Sequence, residues 1–174
     1  KWIQLGLYPE ITLPVILGSD GCGVVVECQE NPDWIGREVI ICPSLNWGDN
    51  PTHQGQDFNI LGMPKDGTFA EEIVVPIENL FNKPTHLTVE EAAVLPLAGL
   101  TAWRAVHSRG QVRPGDRVLI NGIGGGTAIF AMQFCLALGA EVSVTSSSDN
   151  KLSRALELGA THGTRYDQPG WWKS

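Results

Sequence analysis

Val118–Thr145 reads VLINGIGGGTAIFAMQFCLALGAEVSVT, and its reading decides the fold. Arg117-Val118-Leu119-Ile120 is a short, mostly apolar run suited to a strand buried in a sheet. Gly122 to Gly126 is a glycine loop. Thr127 to Leu138 is apolar and of helical length, with Gly139 where a C-terminal cap belongs. Glu141-Val142-Ser143-Val144-Thr145 is a second strand. A tight glycine turn between strand and helix lets backbone N–H groups approach a diphosphate, and the helix N-terminus adds partial positive charge. The whole strand-loop-helix-strand unit has the length of about 30 residues that this fingerprint requires. Gly122-x-Gly124-x-x-Thr127 departs from the three-glycine pattern at its last position, so Gly125 or Gly126 is expected to take over the close approach. A glycine-rich turn that holds nothing is the competing reading.

Working outward toward the C-terminus, Ser146 to Asp149 leads into a helix ending at Gly159, and Thr161 to Tyr166 suits a third strand. Strand, helix, strand, helix, strand implies a parallel sheet by the crossover rule. The end of the second strand selects the nucleotide. An NAD site places Asp or Glu there to hold the ribose 2′-hydroxyl. This chain has Thr145-Ser146-Ser147-Ser148, with Lys151 soon after. A carboxylate ~4 Å from a 2′-phosphate would cost about 4 kcal/mol at an effective dielectric of ~20, whereas hydroxyls and an ammonium group would attract it. NADP(H) is the expected cofactor. Ser148 or Asp149 is also a candidate cap for the next helix, and the two roles can coexist.

Working toward the N-terminus, the period shortens. Thr88 is a candidate N-cap with Glu91 as its capping-box partner for a helix over Val89–Leu95, and Pro96 should end or kink it. Thr101 to Val106 offers a further helix, stopped by Gly110. Before Leu87 the chain reads as β: Val24–Cys28, Glu38–Cys42 and Thr68–Val75 are short apolar or alternating runs bounded by proline and glycine, as in a small barrel or sandwich. Ser44 to Asp66 between them is polar and reads as a long loop, a length that is usually functional or flexible.

Bulk properties narrow the partners. The chain has 174 residues, a net charge of −7 and 43% hydrophobic residues, enough to bury a core. Its mean hydropathy of −0.02 and pI of about 5.0 are ordinary for a soluble protein. Such acidity repels phosphate backbones, so no nucleic-acid partner is expected, and no run of ~18 apolar residues suggests a membrane span. Cys22, Cys28, Cys42 and Cys135 show no CxxC spacing, which suits free thiols in a reducing compartment, and a cytoplasmic location is expected.

The stretches LPVILGSDGCGVVVE, DGTFAEEIVVP, EEAAVLPLAGLTAWRAV, RPGDRVLINGIGGG and TSSSDNKLSRALELGA together resemble the medium-chain dehydrogenase/reductase superfamily, in family order across nearly the whole chain. The resemblance is to its zinc-free, quinone-oxidoreductase-like branch, often filed as "zinc-binding dehydrogenase" proteins. It implies α/β plus all-β architecture: a partial GroES-like β-barrel on the substrate side over residues 1–86, then a partial Rossmann doubly wound parallel sheet binding NADP over 87–174. Both ends are expected to be cut, at the first barrel strands and the later half of the sheet.

In the zinc-dependent branch a His ligand and a Glu stand where this chain has Ser19 and Asp20, and a later Cys ligand aligns with Leu97. Catalytic zinc needs three protein ligands, and leucine cannot serve. The long loop contains no cysteine for a structural zinc, and His53 stands there alone. No metal is therefore expected. The resemblance implies that Lys151 and Tyr166 contact a 2′-phosphate and that Thr101 lies near the nicotinamide and phosphates. The expected nucleotide set is Thr101, Gly122, Gly124, Gly125, Gly126, Thr127, Ser146, Ser147, Ser148, Lys151 and Tyr166. Ser19, Asp20 and Asn46 are substrate-side candidates, and no catalytic proton donor is assigned.

The implied activity is hydride transfer from NADPH to a small carbonyl, enone or quinone bound between the two domains, by an enzyme that is a homo-oligomer at full length. A zinc-dependent alcohol dehydrogenase and a non-catalytic NADPH-binding relative are the alternatives.

Overall fold

The computed structural model describes residue 3, residues 5–7 and residues 13–173. Packing divides the chain between Leu97 and Ala98 into two compact units.

The first unit is built on short antiparallel strands. β1 (Cys22–Val24), β2 (Glu38–Ile41) and β5 (Leu80–Asn82) form one sheet in the order β1-β2-β5. β3 (Ser44–Leu45) and β4 (Asn59–Ile60) pair inside the segment expected to be a loop. Its core gathers Ile41, Leu45 and Leu61, with Ile73, Val75 and Leu80 packed against them. Asn79 is buried and its side-chain amide donates to the carbonyls of Cys42 and Ser44, each at 2.9 Å, which fixes where the chain leaves β2.

Two strand expectations change. The first run pairs over Cys22–Val24 rather than through Cys28, because Gly36 N–H takes the Val25 carbonyl and the chain turns there. Thr68–Val75 forms no strand; Gly67, Thr68 and Phe69 instead donate backbone N–H groups to Ile16, Gly18 and Leu17. That crossing is possible only between glycines: a Cβ on Gly67 would lie 1.9 Å from the Gly18 carbonyl oxygen.

Helix α1 (Val89–Ala93) begins as the sequence implied. Thr88 Oγ1 accepts the Glu91 N–H at 3.2 Å, and the Glu91 carboxylate accepts the Thr88 N–H at 3.0 Å. Pro96 does not kink this helix but opens the next, α2 (Pro96–Trp103), where a missing N–H costs nothing. α2 continues as a π-helical stretch over Arg104–Arg109.

The second unit has the alternation read from the sequence. β6 (Arg117–Ile120), α3 (Gly126–Ala137), β7 (Glu141–Ser146), α4 (Asp149–Glu157) and β8 (His162–Arg165) follow in order. The strands form a parallel sheet, β6-β7-β8, with Val118 opposite Val142 and Val144 opposite Gly163. Met132, Cys135, Val142, Val144, Leu152 and Ala155 are buried between the sheet and its helices. Among the described residues β6 pairs on one side only, and Leu119 on it is 57% exposed.

Candidate nucleotide-binding site

The glycine loop leaves the C-terminal end of β6, and two hydrogen bonds tie it to β7. Ile123, buried, donates its N–H to the Thr145 carbonyl at 2.8 Å. The Thr145 hydroxyl accepts the Gly122 N–H at 3.2 Å and donates to the Asn121 side-chain oxygen at 3.1 Å. Thr145 is buried, so its hydroxyl holds the loop rather than facing a ligand. Beyond these anchors Gly124, Gly125, Gly126 and Thr127 are exposed, and Gly125 stands at the N-cap of α3 in extended conformation without a side-chain cap. The first N–H groups of α3 thus open beside the loop, an arrangement suited to anionic oxygens.

The substitution of Thr127 for the last glycine of the pattern has a local explanation. Gly126 opens α3, and a Cβ there would sit 3.3 Å from that of Ala98 on α2. Gly126 therefore takes the close approach. Ala98 and Thr101 are three apart on α2, so Thr101 shares the face that meets the loop.

Lys151 joins the loop from α4. Gly124 has φ of +117°, and a Cβ there would stand 2.7 Å from Lys151 Cδ and 3.2 Å from its Nζ. The lysine side chain lies across the open face of the glycine, a position that any larger residue would deny it. Tyr166, just past β8, donates its hydroxyl to Ser147 Oγ at 3.2 Å, joining two candidates nineteen residues apart. Ser146 is buried, and its hydroxyl accepts the Ser148 N–H at 3.1 Å. Ser148 is the N-cap of α4 but makes no side-chain capping bond, so the serine run turns the chain through Ser146 instead.

Sequence reading missed Arg165. Its guanidinium donates to Asp149 Oδ2 at 2.8 Å and to both oxygens of Asp167, at 2.8 and 2.6 Å. The Arg165 fork holds the Asp167 carboxyl below the usual carboxylate range. An alternation of charges at 165 and 167 on a strand end was the available signal.

In the first unit Ser19 donates its hydroxyl to the Leu61 carbonyl at 2.7 Å. Asp20 Oδ1 accepts the Leu97 N–H at 2.6 Å, and the Asp20 carbonyl accepts the Thr68 hydroxyl. Burial pushes the Asp20 carboxyl above its ordinary value, and the Leu97 N–H opposes that shift. Asn46, with φ of +55°, lines a cavity of about 400 Å³ together with Ile16, Leu45, Leu61, Lys65 and Asp66. Ser19 and Asp20 are not among its walls. His53 lies on the exposed loop, its ring 3.0 Å from the Asn50 amide. Among the described residues no three His, Cys, Asp or Glu side chains converge as a metal would need.

Short antiparallel strands followed by a parallel three-stranded sheet with a glycine loop define a partial GroES-like barrel joined to a partial Rossmann sheet. The profile of the family described as Alcohol dehydrogenase GroES-like domain matches residues 2–85. A zinc-type alcohol dehydrogenase-like protein of Schizosaccharomyces pombe is 40% identical over 99% of this chain and 51% of its own length. An acryloyl-coenzyme A reductase of Sulfurisphaera tokodaii is 32% identical over 84% of this chain and 46% of its own. A solved NAD-dependent alcohol dehydrogenase superposes with a TM-score of 0.89 at 39% identity, over 99% of this chain and 53% of the other. The chain belongs to the medium-chain dehydrogenase/reductase superfamily. It spans about half the length of the relatives it matches.

Proposed function

We propose that this chain is part of an NADPH-dependent oxidoreductase that passes a hydride to a small carbonyl, enone or quinone without zinc. In this reading residues 1–86 form the substrate-side barrel and 87–174 the NADP-binding domain. The observation that carries it is Lys151 lying across Gly124 of a glycine loop whose N–H groups open at the start of α3, with Tyr166 bonded to Ser147 past the ends of β8 and β7. Gly122 to Thr127 would hold the diphosphate, Lys151 and Tyr166 the 2′-phosphate, and Thr101 would face the loop from α2. A bound nicotinamide would supply the hydride. Developing negative charge on the substrate oxygen would then have to be met by hydrogen-bond donors. The relative named acryloyl-coenzyme A reductase supports a conjugated carbonyl as acceptor.

The donor chemistry at the family's zinc positions does not fit that ion. Leu97 is aliphatic, the Ser19 hydroxyl is engaged with a backbone carbonyl, and Asp20 takes a backbone N–H. Titrating the protein with NADPH and NADH, followed by turnover on a panel of enones and quinones, tests the reading. Tighter NADPH binding with NADPH-dependent reduction is expected; tight binding without turnover would make this a nucleotide-binding module.

A second reading has a specific basis. Asp149 at the start of α4 could accept a ribose 2′-hydroxyl, and the solved relative at 39% identity is NAD-dependent. Tighter NADH binding would favour it.

A further inference from the structure

The ion pairs of Arg165 change what the 2′ region can select. Lys151 lies against Gly124 in the loop after β6 and Arg165 closes β8, two positive charges, but Asp149 and Asp167 bring two negative ones. The formal charge is balanced, so lysine and hydroxyls alone leave a dianionic phosphate little net attraction. The two aspartates are not equivalent partners. Asp167 takes two bonds from the guanidinium fork, through Nε and Nη2. Asp149 takes one, from Nη1, and its side chain is 76% exposed. Asp149 also opens α4, where the N-terminal partial charge stabilises a carboxylate whether or not it is paired.

We infer that Arg165 is the residue that sets cofactor selectivity, by exchanging Asp149 for the 2′-phosphate at Nη1 while Asp167 keeps the fork in place. The inference rests on the nucleotide reading above. The Tyr166 hydroxyl reaches Ser147, two residues before the Asp149 that Arg165 holds, so both contacts tie the end of β8 to the turn that opens α4. With Asp149 displaced toward water, the groups facing the phosphate are Lys151, Arg165, Tyr166 and Ser147. With a 2′-hydroxyl in place of phosphate there is nothing to displace Asp149, and the carboxylate stays where it can accept from that hydroxyl. One pair of residues thus answers both nucleotides, with Arg165 favouring one and Asp149 the other.

Calorimetric titration with 2′,5′-ADP and with 5′-AMP isolates the 2′ group. Arg165→Gln should weaken 2′,5′-ADP about tenfold or more, as loss of a charge-assisted hydrogen bond does, and leave 5′-AMP unchanged. Asp149→Asn should strengthen 2′,5′-ADP, because the competing charge is gone while the chain keeps its packing. An unchanged ratio of the two affinities in Arg165→Gln, or weaker 2′,5′-ADP binding in Asp149→Asn, overturns the assignment. If Arg165→Gln fails to fold, Asp149→Asn alone decides. A wild-type protein that prefers 2′,5′-ADP but ignores both substitutions defeats this inference and leaves the NADPH reading standing. A wild-type protein that shows no preference between the two nucleotides defeats both.

Discussion

Asp20 Oδ1 accepts the backbone N–H of Leu97 at 2.6 Å, a contact between residues seventy-seven positions apart. That N–H lies in the first turn of α2, so the carboxylate serves as a side-chain acceptor at the start of the helix. Asp20→Ala removes this part-buried bond to a carboxylate and should cost about 1–3 kcal/mol. Asp20→Asn keeps an oxygen there and should cost far less. The two variants separate by pH as well. Burial raises the carboxyl of folded Asp20 above its unfolded value of 3.8, so the native state binds the proton more tightly than the unfolded chain does. The wild type should therefore lose stability relative to Asp20→Asn as pH rises through the window just above 3.8, then hold a constant difference. Urea denaturation of both proteins across that range measures it; a wild type that gains stability relative to Asp20→Asn as pH rises would contradict the sign. Sequence alone made Ser19 and Asp20 substrate candidates because polar groups among glycines look available. Their engagement depends on Leu61, Thr68 and Leu97, which only the folded chain brings near, and no local pattern reports that.

At the scale of elements, the glycine loop was the most legible part of the chain. Its flanking strands and helix fall within a residue or two of where periodicity places them, because the run from Arg117 to Ser146 is packed by its own neighbours. Thr68–Val75 failed for the opposite reason. Its apolar alternation suits a strand, but Gly18 and Gly67 let two backbones cross so closely that Thr68 and Phe69 bond to the Ile16–Gly18 segment instead. Val74, within the run expected to be a strand, is 99% exposed. The loop also depends on Thr145, which the sequence presented as the end of a strand and the first hydroxyl of the run expected to face the nucleotide. Its buried hydroxyl links Gly122 and Asn121 across to β7. Thr145→Val preserves the shape and removes both bonds, so it should destabilise the protein by about 1–3 kcal/mol. It should also weaken NADPH binding, because the loop would lose one of its two ties to the sheet, whereas Thr145→Ser should restore most of the affinity. Loss of stability with unchanged NADPH affinity would show that the Ile123 N–H to Thr145 carbonyl bond alone sets the loop.

Taken as a whole, the molecule distributes its apolar burial unevenly between the two units. The parallel sheet and its helices share a core of ten buried residues, from Val106 to Ala160. Among the described residues, the cluster within the first unit gathers three, Ile41, Leu45 and Leu61, beneath strands of two to four residues. Hydrogen exchange reads such differences, since amides exchange through the smallest opening that frees them. β7 has hydrogen-bonded neighbours on both sides, and Val142 and Val144 on it are essentially inaccessible to solvent. Its amides should be the slowest to exchange, those of β2 faster, and those of β3 and β4 faster still. Met132 tests the energetic side of the same argument. It is fully buried, and Met132→Ala should cost about 2–5 kcal/mol through lost transfer energy and the cavity left behind. Protection in β7 should fall in that variant, because Met132 lies in the same core as Val142 and Val144. If the β2 amides of the wild type proved as slow as those of β7, the first unit would have to draw its stability from something other than its own small core. The argument from burial would then fail at this scale while the local assignments around the glycine loop stood.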